Sequence, residues 1–339
     1  MFKIKKLLNI KNGYIRCYSW NSDRSILSSN VNNNILIYSL NINNNNNDNE
    51  EDEEWILEYE LCQHDRMVTS LDWSEKNNCI LSCSEDKLAC YWRYDQATRR
   101  WLPRITTVRV SKSCEQLAWS PLGNKFALTT AENTLMILFN TGESDHWLSH
   151  RFGPSNSRVR AIAWNPVNNN MLACGNARGE LYIYNAYIST VDRLLPNKIG
   201  NFQLITKMSD SATDGFIQSI AWSRDGVFLA YSSQASKLTI IQLLSQYEFK
   251  IIATIKLPTL PICDMIFKDN SKELIALTFD YQLLKFTYSP TTNQWSITDI
   301  VDSGDHLFHP KIRYYHEIDG EQYYSIQSSI DGCLAIISI

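Results

Sequence analysis

The strongest constraint on this fold is an aromatic residue that recurs at the end of an apolar strand and is followed by a short polar turn. Six copies occur, at spacings of 45 to 58 residues. A second apolar strand follows each copy and, after another polar turn, a third. The recurring aromatics are Trp20, Trp73, Trp119, Trp164, Trp222 and Phe267. This period predicts an architecture in which one supersecondary unit is built many times.

A seventh, degraded copy follows Tyr314, with YYHEI, YYSIQSS and CLAIISI as its strands. Variable apolar stretches between the units, such as ILEYEL before His64, supply a fourth strand. Four short strands in each unit of roughly 40 to 50 residues are typical of a β-propeller of the WD-repeat kind. The seventh unit has no outer strand of its own, so we expect residues 2–10 to supply it. The sequence therefore predicts an all-β, seven-bladed WD-repeat β-propeller, closed by the N-terminal strand.

We expect a single domain over residues 1–339. The predicted blades lie near 14–60, 61–110, 111–152, 153–208, 209–256, 257–300 and 310–339 plus 2–10. One segment departs from the pattern: NINNNNNDNEEDEE, residues 41–54, has no hydrophobic periodicity. It is predicted to be a flexible Asn-rich and acidic loop between blades 1 and 2. A binding role for its acidic run is the alternative.

Composition and motifs exclude several classes of function. The net charge of -4 gives no basic field for nucleic acid, and no apolar window is long enough to span a membrane. Nine cysteines, an odd and scattered number, predict reduced thiols in a cytoplasmic or nuclear protein. Cys79 and Cys83 are four residues apart without a second ligand pair, which favours buried thiols over a metal site. No glycine-rich phosphate loop occurs, so no cofactor is expected.

The stretch from His64 to Trp92, HDRMVTSLDWSEKNNCILSCSEDKLACYW, carries a candidate structural set. His64, Ser82, Asp86 and Trp92 are the residue types that form a buried hydrogen-bonded tetrad in WD-repeat blades. A buried imidazole and carboxylate must satisfy each other or they destabilise the fold. A hydrolase triad of Ser82, His64 and Asp86 is the alternative. It is disfavoured because no G-x-S-x-G turn is present and because the Trp completes a structural set.

Two pairs of histidines have spacings that suit a metal ion. They are His146 with His150 and His306 with His309. No carboxylate or cysteine is arranged near them as a further ligand, so surface histidines are the favoured interpretation. We predict neither a metal site nor an enzyme.

The segment RYDQATRRWLPRITTVR interleaves arginines with aromatic residues, and it includes Arg93, Arg99, Arg100, Trp101 and Arg104. Such a patch suits nucleic acid or an acidic protein surface. On the outer hairpin of a propeller blade, a solvated face or a protein contact is favoured, since arginine and aromatic residues are enriched at interfaces.

Several stretches resemble a known family more closely than the fold requires. They are IRCYSWNSDRSILSSNVNNNILIY, the stretch from His64 to Trp92, CEQLAWSPLGNKFAL, DHWLSHRF and AIAWNPVNNNMLACG with NAYISTVDR. Together they resemble subunit 1 of the actin-related protein 2/3 complex, its WD-repeat subunit, over roughly residues 14–290. The resemblance implies a non-catalytic structural subunit that supports actin filament nucleation and branching. The implied partners are the actin-related proteins and helical scaffold subunits, with actin filaments contacted indirectly, and no nucleic acid or membrane.

That resemblance also implies a cytoplasmic and cytoskeletal location, with a nuclear pool as a further expectation. It adds Tyr187, Arg193, His306 and Phe308 to the candidate protein contacts. The contact regions are then residues 93–109, residues 187–193 and a loop over residues 296–313.

The chain departs from the family between blades 6 and 7. Family members carry a long insertion there, with a short exposed helix that contacts actin or its activators. Here ITDIVDSGDHLFHPK has no helical apolar stripe. Assembly into a complex is therefore expected without that contact. A general WD-repeat adaptor in a ubiquitin ligase, a coat or a chromosome-associated complex is the alternative, because a propeller specifies a platform rather than a function.

Overall fold

The computed structural model of this chain describes most of its 339 residues. The described ranges are 3–9, 15–43, 52–106, 108, 110–141, 147–152, 157–192, 202–209, 215–245, 247–280, 282–302, 308–318, 321–328 and 333–338. Every regular element within these ranges is a β-strand, and none is a helix long and apolar enough to cross a membrane. The predicted all-β class is confirmed.

The strands form seven four-stranded antiparallel sheets, numbered here as sheets 1 to 7. An N-terminal strand, β1 (Lys3–Asn9), belongs to sheet 7. Sheets 1 to 3 contain β2 (Tyr18–Trp20), β3 (Ile26–Val31), β4 (Asn34–Asn43) and β5 (Asp52–Leu61); β6 (Val68–Trp73), β7 (Cys79–Ser84), β8 (Ala89–Asp95) and β9 (Arg100–Thr106); and β10 (Cys114–Trp119), β11 (Lys125–Thr130), β12 (Leu135–Phe139) and β13 (Leu148–Phe152).

The remaining sheets repeat the same order. Sheets 4 to 6 contain β14 (Val159–Trp164), β15 (Met171–Asn176), β16 (Glu180–Asn185) and β17 (Gln203–Ser209); β18 (Ile217–Trp222), β19 (Phe228–Ser233), β20 (Lys237–Ser245) and β21 (Glu248–Lys256); and β22 (Ile262–Phe267), β23 (Glu273–Thr278), β24 (Gln282–Ser289) and β25 (Gln294–Asp302). Sheet 7 has the order β26 (Phe308–Ile318), β27 (Glu321–Ser328), β28 (Cys333–Ser338) and β1.

The recurring aromatic residues explain the repeat. Each of them is the last residue of the first strand of sheets 1 to 6, and each is buried. Register irregularities recur near the start of the first strand in sheets 2 to 6, at Val68, Cys114, Val159, Ile217 and Ile262. A bulge placed identically in successive units indicates that the units share one backbone geometry.

The core lies between neighbouring sheets. Cys17, Ile35 and Ile37 of the first repeat, for example, share one cluster with Ile80 and Trp92 of sheet 2. Further clusters join sheets 2 and 3, 3 and 4, 4 and 5, and 5 and 6. The first strands of successive sheets contact one another from β2 through to β26. Sheets stacked face to face with their first strands adjacent are the blades of a β-propeller.

Hydrogen bonds also connect the turns between the first and second strands of neighbouring sheets. From sheet 2 to sheet 6 they are Asn77 Nδ2 to the Gly123 carbonyl (2.7 Å), the Leu122 amide to Asn169 Oδ1 (3.1 Å), Asn165 Nδ2 to the Gly226 carbonyl (2.9 Å) and the Asp225 amide to Ser271 Oγ (3.1 Å). Gly123 has a positive φ of 66°, and a Cβ there would meet Asn77 Nδ2 at 2.6 Å. Glycine is therefore required where these two turns meet.

The strand bounds correct two predicted loops. Asn41–Asn43 pairs with Asp52–Glu54 in the hairpin of β4 and β5, so the predicted loop over residues 41–54 is wrong at both ends. The predicted contact loop over residues 296–313 is also wrong, because β25 extends to Asp302 and β26 begins at Phe308. In both places, pairing with a neighbouring strand extends the sheet beyond the apolar pattern. At the N-terminus, β1 pairs antiparallel with β28, from Lys3 opposite Ser338 to Asn9 opposite Cys333.

Candidate functional site

The four residues of the predicted tetrad meet inside sheet 2. His64 precedes β6, Ser82 lies in β7, Asp86 lies in the turn after it, and Trp92 lies in β8. His64 Nδ1 lies 2.8 Å from Asp86 Oδ2, and His64 Nε2 lies 2.8 Å from Ser82 Oγ. Trp92 Nε1 donates to the same Ser82 oxygen at 2.9 Å. One connected chain of hydrogen bonds therefore runs from the indole to the carboxylate.

The donors and acceptors fix the direction of this chain. A carboxylate only accepts, so the neutral imidazole of His64 carries its proton on Nδ1 and donates it to Asp86. Nε2 is then an acceptor, and the Ser82 hydroxyl donates to it while accepting from Trp92. Asp86 also accepts from the backbone amides of Asp65 (3.1 Å) and Leu88 (2.8 Å). Every polar atom along the chain is satisfied.

This arrangement does not suit nucleophilic catalysis. Ser82 is 0% exposed, so its hydroxyl oxygen does not face solvent where a substrate could reach it. The oxygen also accepts a hydrogen bond from an indole, which withdraws electron density from a would-be nucleophile. Ser82, His64 and Asp86 have the connectivity of a triad without access to a substrate.

The predicted basic surface is the hairpin of β8 and β9. Arg93, Arg99, Arg100 and Arg104 are all exposed along it, beside the exposed apolar side chains of Leu102 and Ile105. The hairpin thus combines positive charge with apolar area. Both features are typical of protein interfaces.

Trp101 does not belong to this surface, and the prediction that it forms a protein contact is wrong. Its side chain is buried in the core between sheets 1 and 2, where its ring packs edge-on against Trp73 at 5.6 Å. Its neighbours Arg100 and Leu102 point the opposite way, because successive side chains alternate across a strand.

The segment from Ala186 to Asp192, which follows β16, is anchored by a buried ion pair. Lys125 at the start of β11 is 0% exposed, and its Nζ lies 2.6 Å from Asp192 Oδ2. The same ammonium donates to Asn170 Oδ1 at 2.7 Å and to the Ala186 carbonyl at 3.0 Å. Asp192 also accepts from the Ile188 amide at 2.8 Å. The segment is therefore fixed to both sheet 3 and sheet 4.

Burial has the largest effect on the pKa of Lys125 in this ion pair. Loss of water lowers the pKa of Lys125 to about 8, against the opposing effect of the Asp192 charge and hydrogen bond. Within the segment, Ala186 and Ile188 are buried in the core between sheets 3 and 4, and the candidate contact residue Tyr187 is half-buried. Tyr187 therefore projects from a segment whose neighbouring residues, Ala186 and Ile188, are held in the core.

Sequence reasoning missed Lys125 and Asp192. One signal could have found Lys125: it lies directly before the apolar run FALTT, where the strand pattern places a buried position. Other candidate residues are less defined. Arg193, His146 and His306 lie outside the described residues, as does the side chain of Phe308. His150 is exposed and stacks on Phe202 at 4.0 Å, and no metal-ligating cluster occurs among the described residues.

Comparison with known proteins places these features in context. Residues 55–93 match the WD domain, G-beta repeat family. This match begins in β5 of sheet 1 and runs through the first three strands of sheet 2, including the whole tetrad. The crystal structure of the Myceliophteria thermophila Cps50 (Swd1) β-propeller domain superposes with a TM-score of 0.74, at 15% identity and over 100% of both chains. That similarity concerns the fold alone.

Curated relatives carry the name of one complex. Actin-related protein 2/3 complex subunit 1A-A of Xenopus laevis is 27% identical over 281 residues, which is 81% of this chain and 71% of the relative. Subunit 1A of Arabidopsis thaliana is 26% identical over 83% of this chain and 72% of its own length. Subunit 1 of Schizosaccharomyces pombe is 26% identical over 71% of this chain and 64% of its own length. The chain therefore contains a WD repeat within a β-propeller fold, and it is a divergent relative of actin-related protein 2/3 complex subunit 1.

Proposed function

We propose that this chain is a non-catalytic structural subunit of an actin-related protein 2/3 complex. The observation that carries the proposal is the Lys125–Asp192 pair, which joins CEQLAWSPLGNKFAL to NAYISTVDR, the stretch that is most specific to that family. Blade construction alone does not require a buried lysine between sheets 3 and 4. Actin-related protein 2/3 complex subunit 1A-A of Xenopus laevis is similar to this chain over 281 residues, 81% of its length.

The proposed mechanism is geometric. In this proposal the seven sheets are the blades of a ring, and the pairing of β1 with β28 supports its closure. The ring presents rigid turns to the neighbouring subunits and helps to hold the two actin-related proteins where they template a new filament. The tetrad of His64, Ser82, Asp86 and Trp92 acts as a brace within sheet 2, since a satisfied buried network rigidifies its surroundings.

Protein contacts are assigned to three regions. The first is the basic hairpin, through Arg93, Arg99, Arg100 and Arg104. The second is the anchored segment with Tyr187, continued in sequence by Arg193. The third is His306 with Phe308, the first residue of β26. The partners are the helical scaffold subunits and an actin-related protein, in the cytoplasmic actin cytoskeleton with a nuclear pool.

Affinity purification of the tagged full chain, followed by mass spectrometry, tests this assignment. We expect recovery of both actin-related proteins and of the helical subunits in comparable amounts. A matched purification of the Lys125→Met variant should recover less of the complex if the anchored segment contributes to assembly. Recovery of cullin adaptors or coat proteins without any actin-related protein would contradict the proposal and favour a general WD-repeat adaptor.

A further inference from the structure

A cavity opens between the outer parts of sheets 2 and 3, and we call it the sheet 2–3 groove. Its volume is about 610 Å³, and the lining residues used here are Tyr91, Arg93, Leu102, Arg104 and Trp147. The volume is large enough for a few side chains of another polypeptide. The groove therefore suits an inserted segment better than a flat contact.

Aromatic rings form a fixed wall of the groove. The Tyr91 ring lies 5.7 Å from Trp147 and 6.0 Å from Trp119. Its hydroxyl lies 3.0 Å from the sulfur of Cys79. Trp147 packs in turn on Phe126 at 5.0 Å. Because these rings support one another, the wall is preformed and little conformational entropy is lost when a ligand packs on it.

Positive charge lies directly beside that wall. Arg104 is the cross-strand partner of Tyr91, and Arg93 is the partner of Leu102, so these four side chains share one face of the hairpin. Among the described lining residues, Asp95 carries a carboxylate, and it already accepts from the Thr98 hydroxyl (2.5 Å), the Thr98 amide (3.2 Å) and the Ala97 amide (3.4 Å). Asp95 is therefore committed to its own turn, and the exposed guanidinium of Arg93 lies on the same face as the aromatic wall.

We infer that the sheet 2–3 groove binds an extended segment of a neighbouring subunit that carries an acidic side chain next to an apolar one. The acidic group forms charge-assisted hydrogen bonds with the guanidinium of Arg93, a geometry that planar carboxylates favour. The apolar side chain packs on Tyr91 and Leu102. Arginine and aromatic residues around a desolvated pocket are the typical composition of an interface hot spot. This inference rests on the proposed role as a complex subunit.

The occupant is a partner rather than the acidic run of this chain. That run ends in Asp52–Glu54 of β5, a strand of sheet 1. Sheet 1 packs against the opposite face of sheet 2, through the core that contains Trp101. The groove faces sheet 3.

Photo-crosslinking within the assembled complex tests the inference. A benzoylphenylalanine replaces Leu102, which is 41% exposed in the groove, and the crosslinked peptides are mapped by mass spectrometry. The same probe at Leu204, 49% exposed on the outer strand of sheet 4, is the position control. The charge variant combines Arg93→Glu with Arg104→Glu, and Arg178→Glu, at an exposed arginine in the turn after β15, is its matched control.

We expect the probe at position 102 to crosslink a partner peptide that contains Asp or Glu. The double charge reversal should reduce that crosslink at least about tenfold, while Arg178→Glu leaves it unchanged. The probe at position 204 should not crosslink the same peptide. A crosslink to residues 41–54 of the same chain would overturn the inference, as would a partner crosslink that is insensitive to the charge reversal. If the complex still contains the actin-related proteins but the probe at position 102 forms no crosslink, the inference about the groove is overturned and the proposed function is not. Loss of those proteins from the unaltered chain's complex overturns the proposed function, and the inference with it.

Discussion

Lys125 Nζ lies 2.6 Å from Asp192 Oδ2, across 67 residues of sequence and between two sheets of the propeller. Neither side chain has appreciable access to water. The ammonium has three protons, and it directs them at a carboxylate, an amide oxygen and a backbone carbonyl. A charge can be buried this deeply only when its full hydrogen-bonding capacity is met, and here it is met.

Removing one partner of this pair should destabilise the protein strongly. For Lys125→Met we expect a loss of about 3–5 kcal/mol, because Asp192 is left as an uncompensated buried charge. Asp192→Asn should cost a similar amount. Thermal unfolding of the purified variants measures the effect. The exposed pair of Arg224 and Asp269, 3.6 Å apart, is the control: Arg224→Ala should change stability by less than about 1 kcal/mol. Equal effects of the two substitutions would contradict the structural role of Lys125.

The tetrad of sheet 2 should respond unequally to its substitutions. Ser82→Ala leaves both the Trp92 indole and His64 Nε2 without a partner, so we expect a loss of about 2–5 kcal/mol. Trp92→Phe keeps the ring and removes one donor, and it should cost about 1 kcal/mol plus a packing change. Urea unfolding ranks the two variants. A milder effect for Ser82→Ala than for Trp92→Phe would show that Ser82 does not link the network.

The proton on His64 gives a more direct check of the same network. The geometry requires the Nδ1–H tautomer, with Nε2 accepting from Ser82. Nitrogen-15 chemical shifts of the imidazole distinguish the two tautomers. In Asp86→Ala the preference for the Nδ1–H form should be lost. Observation of the Nε2–H form in the unaltered protein would refute the direction assigned to the chain of hydrogen bonds.

Alkaline pH should unfold this protein through its buried thiols. Burial raises the pKa of six cysteines above the usual 9.0, and it reaches about 12 for two of them, Cys90 and Cys114; the other four are Cys79, Cys83, Cys174 and Cys263. Below pH 9 the thiols are protonated in both states. Above pH 9 the unfolded chain releases protons that the folded chain retains, so stability falls as the pH rises towards 12.

Lys125 acts in the opposite direction. Its lowered pKa means that the folded state releases a proton first, which adds stability between about pH 8 and pH 10.5. One group cannot offset six, so we expect the urea midpoint, measured with reductant present, to fall steadily above pH 9. Cys174→Ala should make that fall less steep, whereas the exposed Cys62→Ala should leave it unchanged. A flat profile from pH 8 to 11 would contradict the argument.

The N-terminal strand should carry much of the stability of sheet 7. β1 pairs with β28 along its whole length, so deletion of residues 1–11 exposes an edge strand and removes those hydrogen bonds. We expect a fall in melting temperature of several degrees, and more if the ring opens. A synthetic peptide of residues 1–11, added in excess, should restore part of the loss, and a scrambled peptide should not. An unchanged melting temperature after the deletion would rule out this contribution.

Much of the fold followed from the sequence because its signals are local. The recurring aromatics at Trp20, Trp73 and Trp119 mark the ends of first strands, and period-two alternation marks the strands themselves. Both depend only on neighbours in the chain. The positions of His64, Ser82, Asp86 and Trp92 were likewise readable, because the repeat fixes where each one falls within its blade.

The sequence was misleading where pairing between strands decides the outcome. Asn41–Asn43 lacks an apolar pattern, yet it lies in β4 because Asp52–Glu54 provides a partner for its backbone. Arginines lie on both strands of the hairpin that contains Trp101. The Trp101 side chain nevertheless faces the core, because successive side chains point to opposite faces of a strand. Which backbone groups form hydrogen bonds, and which face of a strand is covered, depend on the partner segment as well as on the strand itself.

By itself, the sequence determined that this chain builds one strand unit many times and that the units must stack to bury their faces. Only the tertiary structure decided which polar groups meet between the units. Lys125 and Asp192 are 67 positions apart, and no local pattern relates them. They pair because sheets 3 and 4 are stacked in one register, and because a buried charge is tolerated only where the stacking supplies its partner.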